Sequence, residues 1–401
     1  MSTTTASPTT EKSPSKISQL FRINFQTYGL IIALMVIWVF FFFMTDGVYL
    51  SPQNFSNLFR QMTITAILSV GMVLVMVAGH IDLSVGKLAG YISVVVAYLQ
   101  AYTWYKYLPD ASPVLTTILS VLIGLLVGTL YGVIQGYIIA YLRVTAFIVT
   151  LGSMWILNGL ILVQTAGKTI PANQPLFSEI AQGYLSPTVG WIGAVLVAVL
   201  MFVLMFDGRR RKTRYGFTLS PLGLDILKTA FYAALLFGYV FYVNKYSGVQ
   251  NPVLLLAIIV VIVTYVANNT KFGRYVYAAG GNREATRLSG ISIVGNTFKI
   301  FILMGFLCAV SGVVMASYVG YGTIAAGTGY ELIAIAACIL GGTSTLGGEG
   351  TIVGAMIGAL IMASLTNGLQ IMNVPSAWQY VLSGVVLVIA VLGDVYLKRN
   401  R

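Results

Sequence analysis

The sequence predicts an all-α polytopic membrane protein, and three observations lead to this prediction. Of the 401 residues, 58% are hydrophobic and only 8% are charged, against roughly 25% charged residues in an ordinary soluble domain. The mean hydropathy of +0.88 belongs to a chain that is apolar over most of its length. Long apolar segments follow one another, and several reach the roughly 20 helical residues that cross the hydrocarbon core of a bilayer.

Charge and cysteine content narrow the class further. A net charge of +12 would suggest nucleic-acid binding in a soluble protein, but in a membrane protein the distribution of the charges matters more than their sum. Membrane lipid is therefore an expected partner and nucleic acid is not. Cys308 and Cys338 both stand in apolar runs, so they offer neither a disulfide framework nor a CxxC metal pair.

The chain divides into a polar head, a transmembrane domain and a short basic tail. Residues 1–27 are rich in serine, threonine and proline and lack a short apolar stretch with a small-residue cleavage site. This composition predicts a disordered cytoplasmic head rather than a signal peptide. Residues 28–397 form the predicted transmembrane permease domain, and residues 398–401 form a basic cytoplasmic tail.

Twelve apolar segments make up the predicted transmembrane domain. The segment 332–340 is too short to cross a bilayer. We therefore expect about ten transmembrane helices, with the short pieces as additional half-helices. The segments run approximately over 28–44, 62–78, 88–104, 114–141, 146–163, 189–206, 229–242, 252–268, 298–319, 332–340, 351–365 and 378–392.

Lysine and arginine are distributed unevenly over the connections. If the segments alternate sides and the N-terminus is inside, 19 of the 23 basic residues, Lys87 among them, fall in cytoplasmic regions. This agrees with the positive-inside rule. Both termini are then cytoplasmic, which requires an even number of full crossings and favours ten. The four basic residues that fall outside are Arg60, Lys106, Lys168 and Lys245.

Glycines recur every four residues in two of the segments. Small residues at this spacing let helix backbones approach closely in lipid. We expect these ladders to organise helix packing and to carry no chemistry. They are Gly124, Gly128, Gly132 and Gly136 in one segment and Gly350, Gly354 and Gly358 in another.

Two glycine-rich breaks interrupt apolar segments in a similar way. The first break, GHIDLSVG at 79–86, and the second break, GGTSTLGG at 341–348, each lie between two apolar helices. Their similarity predicts two loosely repeated halves of parallel orientation. Irregular backbone at membrane depth is tolerated only where it lines a cavity or is buried in protein.

The first break contains Asp82 and the single histidine, His80. An ionisable residue near the membrane interior indicates function, because inserting the charge costs roughly 3 kcal/mol. The pair could form a proton relay, or Asp82 could accept a substrate hydroxyl. Alternatively, Asp82 caps the following helix by accepting from the N–H groups of Ser84 and Val85, which the form DLSVGK favours.

The second break contains small neutral residues between glycines. Backbone groups around Thr343 and Ser344 could face a water-filled path, as a hydroxylated substrate would need, although a tight turn explains the pattern equally well. The candidates for a translocation path are Asp82, Ser84, Gly86, Thr343, Ser344 and Asn367.

A polar and basic island at 271–299 separates two long apolar segments and is predicted to be cytoplasmic. Asn282 is a suitable N-cap, Glu284 lies in the first turn where the helix dipole favours negative charge, and Gly290 suits a left-handed C-cap. The apolar side chain of Leu288 would then need another surface to cover it. Such a helix could grip a soluble partner, or it could only close a loop.

A polar stripe precedes the second long apolar segment. Asn54, Asn57 and Arg60 recur every three residues in SPQNFSNLFR, which predicts an interfacial helix on the outer face with one polar side. That side could meet a soluble partner or merely water.

Catalytic signatures are missing from the sequence. Gly86 and Lys87 are followed by Leu88 where a phosphate-binding loop needs serine or threonine. A single histidine excludes an HExxH zinc motif, and no GxSxG elbow occurs. The connections are too short for a nucleotide-binding domain. We therefore expect a chain that is not an enzyme, without a metal or cofactor of its own, which receives any ATP energy from another polypeptide.

Several motifs together resemble one family of permeases. Glu284, Ala285 and, after four further residues, Gly290 resemble the EAA loop of ABC-importer permeases. AGHIDLSVG, FGRYVYAAGGNREATRLSGI and GGTSTLGGEGTIVGAMIGALI extend the match, which covers roughly residues 24–397. The chain resembles the permeases of periplasmic-binding-protein-dependent monosaccharide importers, the ribose, xylose, arabinose and galactoside group. TDGVYLS and NVPSAWQYVLSG resemble most the branch that imports D-xylose.

This resemblance implies an assembly in the bacterial inner membrane. It contains a permease homodimer, two copies of a cytoplasmic ATPase that hold ATP and Mg, and a periplasmic sugar-binding protein that docks outside. Thr286 departs from the family pattern, which has alanine there, at a cost in helix propensity well under 1 kcal/mol. The expected coupling residues are Arg283, Glu284, Ala285, Arg287, Leu288 and Gly290, and the docking candidates are Asn54, Asn57 and Arg60.

A different class of transporter is the main alternative. In a proton-coupled secondary transporter of sugar or amino acid, His80 and Asp82 would carry the coupling proton. A structural or receptor-like membrane protein is a third hypothesis.

Overall fold

The computed structural model describes residues 16–172 and 174–399, and this part of the chain is mostly helical. Four two-residue strands form two small antiparallel pairs, β1 (Ile170–Pro171) with β4 (Tyr321–Gly322) and β2 (Tyr184–Leu185) with β3 (Val249–Gln250). The helices are α1 (Lys16–Met44), α2 (Pro52–Val77), α3 (Val85–Tyr98), α4 (Trp104–Tyr107), α5 (Pro113–Ala140), α6 (Ala146–Thr165), α7 (Pro175–Gln182), α8 (Pro187–Arg214), α9 (Leu222–Val243), α10 (Asn251–Asn269), α11 (Lys271–Gly281), α12 (Arg283–Leu288), α13 (Ile293–Val319), α14 (Tyr330–Leu340), α15 (Ile352–Ile371) and α16 (Ser376–Arg399).

The number of long apolar helices agrees with the sequence. By length and composition, eight helices in the described chain can cross a membrane, namely α2, α5, α6, α8, α9, α10, α13 and α15. Helices α1 and α16 add shorter apolar stretches, Gly29–Met44 and Ser376–Leu392. Together they give about ten spans. Helix α14, with 11 residues, is a half-helix, whereas α3 continues through a π-helical turn at Leu99–Thr103 into α4, so residues 85–107 form one helical run. The predicted fold class is confirmed.

The centre of the bundle is formed by α2 and α13, most of whose side chains are buried. Both helices are apolar on all sides, which is typical of helices surrounded by other helices. Helices α3, α5, α14 and α15 pack around them, whereas α8 and α9 lie at the periphery with most side chains exposed.

The glycine ladders lie at helix contacts, as predicted. A Cβ atom on Gly128 would lie 2.6 Å from the Cβ atom of Ala309, and one on Gly132 would lie 2.5 Å from the carbonyl oxygen of Phe301. The ladder of α5 therefore lets α13 approach at backbone distance. In the second ladder, a Cβ atom on Gly358 would overlap the carbonyl oxygen of Ala337, so α15 packs on α14 in the same way.

The two ends of the chain differ in part from the prediction. Helix α1 begins at Lys16, so residues 16–27 of the expected disordered head are helical. This segment follows the last proline of the head, Pro14, and contains neither proline nor glycine, so nothing in it stops a helix. Residues 1–15 of the head and residues 400–401 of the tail lie outside the described residues.

The expected interfacial helix at 51–60 is the first part of α2. Ser51 caps this helix, because its hydroxyl accepts a hydrogen bond from the backbone N–H of Asn54 at 3.3 Å, and Pro52 occupies the first helical position. No break separates these residues from the long apolar segment that follows. The polar stripe therefore lies at the start of a spanning helix.

Candidate coupling helix and translocation path

The short helix α12 has the caps that the sequence predicts. The Asn282 side-chain oxygen accepts a hydrogen bond from the N–H of Ala285 at 2.9 Å. Gly290 adopts φ 77°, and its N–H donates to the carbonyl oxygen of Arg287 at 3.0 Å. Glycine adopts this left-handed conformation without steric cost. Each of these signals acts within a few residues, which is why the sequence alone locates the helix.

One face of α12 is exposed and carries charge beside an apolar tip. Arg287 donates to both carboxylate oxygens of Glu284, at 3.1 and 2.5 Å. These hydrogen bonds raise the pKa of Arg287 above its ordinary value. Leu288 is 75% exposed next to the pair. An exposed leucine flanked by an ordered ion pair suits a groove on a protein partner.

The other face of α12 holds the departure from the family pattern. Thr286 is buried, and its hydroxyl donates to the carbonyl oxygen of Asn282 at 2.7 Å. The side chain that differs from the expected alanine therefore faces this chain and leaves the exposed face unchanged.

Helix α11 lies directly on the end of α2 and on the second break. A Cβ atom on Gly280 would overlap the carbonyl oxygen of Val77 and would lie 2.6 Å from the backbone nitrogen of Gly348. The Tyr277 hydroxyl donates to the carbonyl oxygen of Gly350 at 2.8 Å. A displacement of α12 would therefore reach the ends of α2 and of the second break through one short, closely packed helix.

The first break is held by a buried hydrogen-bond network. One oxygen of Asp82 accepts from the N–H of Ser84 at 2.8 Å and from its hydroxyl at 2.6 Å. The Gln135 side chain on α5 donates to the same hydroxyl at 2.9 Å. The expected bond from the N–H of Ser84 is present, but the second bond comes from the Ser84 hydroxyl rather than from the N–H of Val85. Asp82 is not the N-cap of α3, because Ser84 occupies that position. Residue Ser84 accordingly links the break to α5.

The second break forms a compact turn. Thr343 and Ser344 are buried, and the N–H of Ser344 donates to the carbonyl oxygen of Glu349 at 2.8 Å. A Cβ atom on Gly347 would lie 3.2 Å from the Cα atom of Gly79. The two breaks therefore touch each other, and the tight-turn interpretation describes the observed geometry of the second one.

Asn54 and Asn367 form a reciprocal amide pair. The Asn54 amide donates to the Asn367 oxygen at 2.9 Å, and the Asn367 amide donates back at 3.1 Å. Both side chains are buried. The expectation that Asn54 belongs to an exposed docking stripe is therefore wrong, because its amide joins α2 to α15. Asn367 lies in the same contact.

Arg60 is also engaged within the chain. Its guanidinium donates to the Tyr184 hydroxyl and lies 4.7 Å from the centre of that ring. This contact attaches the short β2 segment to α2. Of the three docking candidates, Asn57 stays half-exposed without such a contact among the described hydrogen bonds.

His80 lies in the connection after α2, outside the spanning helices. It lines a cavity of about 370 Å³ with Arg143 and Arg283. Burial and, to a smaller extent, the nearby Arg283 guanidinium lower the pKa of His80 to about 4. The imidazole is therefore neutral near pH 7. A histidine that carries a coupling proton needs a pKa nearer to the working pH, so this environment does not suit a proton relay.

Two buried ionisable residues lie near each other beside α3. Lys87, which the segment order predicted to be cytoplasmic, is buried at the start of α3, where its ammonium donates to the Thr328 hydroxyl at 2.8 Å. Glu331 lies in the first turn of α14 and is buried beside α3. The contact between α3 and residues 327–331 brings Lys87 and Glu331 close to each other. No local sequence pattern predicts this contact.

These features describe a polytopic helical membrane protein in which the exposed helix α12 follows α11, and α11 packs on the end of α2 and on the second break. The chain belongs to the family described as branched-chain amino acid transport system / permease component, which matches residues 54–391. It is accordingly a multi-pass permease subunit of an ABC transporter, in which the ATPase is a separate subunit.

Relatives match the chain over most of its length. It is 39% identical to the xylose transport system permease protein XylH of Escherichia coli K12, over 96% of this chain and 95% of that protein. Identity to XylH of Haemophilus influenzae is also 39%, over 95% of this chain and 99% of that protein. Identity to the ribose import permease protein RbsC of Escherichia coli K12 is 33%, over 86% of this chain and 87% of that protein. No solved structure matches the chain.

Proposed function

We propose that this chain is the membrane-spanning subunit of an ATP-driven monosaccharide importer whose sugar is D-xylose. The observation that carries the proposal is the similarity along the whole chain to permeases named for xylose transport, at 39% identity over 96% of this chain. The relative named for ribose import is less similar, at 33% identity over 86% of the chain.

The proposed assembly has two copies of this chain in the bacterial inner membrane, with both termini in the cytoplasm. Two ATPase subunits, which hold ATP and Mg, bind the exposed face of α12, and a periplasmic binding protein delivers the sugar outside. The exposed Leu288 and the concentration of basic residues in the connections on the α12 side support this orientation. Among the docking candidates for the binding protein, Asn57 is the one whose side chain stays accessible.

The contacts of α11 support a mechanical route for coupling. ATP binding closes the ATPase dimer and draws the two α12 helices together. Because α11 ends at the Asn282 cap of α12 and packs through Gly280 on Val77, the displacement moves the ends of both breaks. Helix α3 and half-helix α14, which adjoin these breaks, then shift and change which side of the membrane the central path faces.

The candidates for the translocation path are distributed around this moving region. Asp82, Ser84 and Gly86 belong to the first break, and Thr343 and Ser344 belong to the second. All five are buried and tightly packed. In this arrangement the breaks close the path, and they would have to separate before a sugar could pass. Low affinity along the path is sufficient, because the binding protein supplies the selectivity.

Transport in proteoliposomes tests the proposal. The chain is reconstituted with its ATPase and binding protein, and uptake of radiolabelled D-xylose is measured with and without ATP. We expect uptake only when all three components and ATP are present, and little competition by D-ribose. Uptake by this chain alone that collapses with an uncoupler would establish the proton-coupled alternative. Preference for ribose over xylose would overturn the choice of sugar and leave the importer intact.

A further inference from the structure

A second cavity, mostly apolar but with several polar side chains in its lining, opens on the side of the bundle beside the start of α3. It has a volume of about 440 Å³ and lies between α3, α6 and the segment that precedes α14. This size falls within the roughly 300–1,000 Å³ of small-molecule pockets. Its lining combines aromatic and polar side chains, chiefly Lys87, Trp155, Asn158, Thr328 and Glu331.

Helix length places the cavity near the middle of the membrane. Helix α6 has 20 residues, just enough to span a hydrocarbon core of about 30 Å. Trp155 and Asn158 are near its midpoint. Half-helix α14 begins beside the cavity at Glu331, and Lys87 lies in the first turn of α3. Both helices therefore begin beside the cavity.

One polar group in the cavity has no partner. Glu331 is only 9% exposed, and its Oε2 atom accepts no hydrogen bond from any residue that the structure describes. Lys87 uses one of its three donors on Thr328, at 2.8 Å. The Oε2 atom of Glu331 is itself buried against Gly86, and a buried carboxylate oxygen without a hydrogen bond is costly. The carboxylate therefore favours a donor from water or from a ligand in the adjoining cavity.

The open side of the cavity cannot face lipid tails. Ionisable groups at mid-membrane depth are tolerated where they line a water-filled space or meet another protein surface. Trp155 is exposed at the opening, and Asn158 is half-buried behind it. In the proposed dimer, this face of the chain therefore lines the space between the two copies.

We propose that this cavity holds a neutral, polyhydroxylated sugar during its passage through the membrane. The inference rests on the proposed importer function and adds a location for the substrate within this chain. The ring of Trp155 offers a flat apolar surface for the C–H face of a sugar. Around it, the carboxylate of Glu331 accepts hydroxyl protons, the ammonium of Lys87 donates, and the amide of Asn158 does both.

Glycine makes the approach of the carboxylate possible. A Cβ atom on Gly86 would overlap the Oε2 atom of Glu331 and would lie 2.5 Å from the carbonyl oxygen of Gly327. Gly86 is thus the one path candidate from the sequence that touches this cavity. It connects the first break, which the coupling segment moves, with the carboxylate that binds sugar.

Cysteine labelling in the assembled transporter tests the location. The native Cys308 and Cys338 are buried, so their background is low. Ile156 is a matched control, because it is 60% exposed on the same helix but does not line the cavity. We expect a water-soluble methanethiosulfonate reagent to modify Asn158→Cys at least about tenfold faster than Ile156→Cys, with excess D-xylose slowing the reaction. Equal rates, or no protection by the sugar, would overturn the site.

Substitution of the carboxylate tests the role in transport. Glu331→Gln removes an acceptor while keeping the shape, and we expect D-xylose uptake to fall at least about tenfold. Leu332→Ala, at the neighbouring exposed position, is the control for the helix. If the wild-type transporter imports D-xylose and Glu331→Gln imports it equally well, the site is wrong although the function holds. If the wild type imports no sugar, the proposed function fails, and the labelling rates still report whether the cavity is aqueous. If Glu331→Gln does not assemble with the ATPase, the labelling experiment decides.

Discussion

The backbone of Gly280 lies against the carbonyl oxygen of Val77 so closely that any side chain at position 280 would overlap that oxygen. The same oxygen accepts a hydrogen bond from the N–H of Gly348 at 2.8 Å. One carbonyl group thus joins the end of α2, the second break and the segment that leads to α12. In the proposed mechanism, a displacement of α12 is passed at this point to the end of α2 and to the second break.

Gly280→Ala should impair transport, because the added methyl group must push α11 away from α2. Overpacking of this kind costs roughly 1–3 kcal/mol, so we expect uptake to fall on the order of tenfold, with a lower melting temperature of the complex. Gly281→Ala is the matched control, since a Cβ atom at Gly281 would meet nothing within 4 Å. Similar uptake by the two variants would show that this contact does not transmit coupling.

Glu284→Arg should uncouple the transporter without lowering its expression. The substitution reverses a charge on the exposed face of α12 and breaks the hydrogen bonds to Arg287. We expect the variant to lose most of its copurifying ATPase and at least about nine-tenths of sugar uptake. Asp207→Arg is the control, because Asp207 forms a comparable exposed pair with Arg211 at 2.7 Å. Normal uptake with normal ATPase recruitment by Glu284→Arg would count heavily against the coupling role.

His80 should make the folded protein sensitive to acid and leave transport near neutral pH unaffected. Burial and Arg283 lower the pKa of His80 from 6.5 to about 4, so the unfolded chain takes up this proton before the folded chain does. The contribution of His80 to stability is therefore complete above pH 6.5 and is lost as the pH falls toward 4. Melting temperatures of the wild type and of His80→Gln, measured across this window, should diverge in that direction. A parallel pH dependence of the two proteins, or transport that follows the titration of His80 near pH 7, would contradict this.

Asn367→Ala should destabilise the protein without changing the apparent affinity for sugar. The substitution leaves the buried amide of Asn54 without its reciprocal partner, at a cost of about 1–3 kcal/mol. The double variant Asn54→Ala/Asn367→Ala should lose less than the sum of the two single variants. Denaturation of the purified complex measures the coupling, and initial uptake rates give the apparent KM. A raised KM with unchanged stability would instead indicate that Asn367 lines the translocation path.

Local signals in the sequence were sufficient for several parts of the structure. The caps of α12 involve atoms only three residues apart, Asn282 with Ala285 and Arg287 with Gly290, so residue types at fixed spacing identify them. The ladder of glycines in α5 likewise indicated close helix packing, because small residues every four positions form one continuous face. Half-helix α14 followed from the length of its segment alone.

The spacing of polar and apolar residues did not reveal which other helix each helix face contacts. Asn54 looked like part of an exposed stripe because its spacing to Asn57 and Arg60 is regular, but its amide finds Asn367, which is 313 residues away in the sequence. Lys87 looked cytoplasmic because it follows a polar break, but α3 carries it against Thr328, 241 residues away. Periodicity gives the direction of a side chain and not its partner.

By itself, the sequence determined that this chain is a helical membrane permease with a short capped helix at 283–288, because composition, segment length and capping depend on residues close together. Only the tertiary structure decided that α11 packs on the end of α2 and on the second break, and that Lys87 and Glu331 share a cavity with Trp155 and Asn158. These relationships join segments far apart in the chain, and they depend on how closely the glycine-lined helices approach one another.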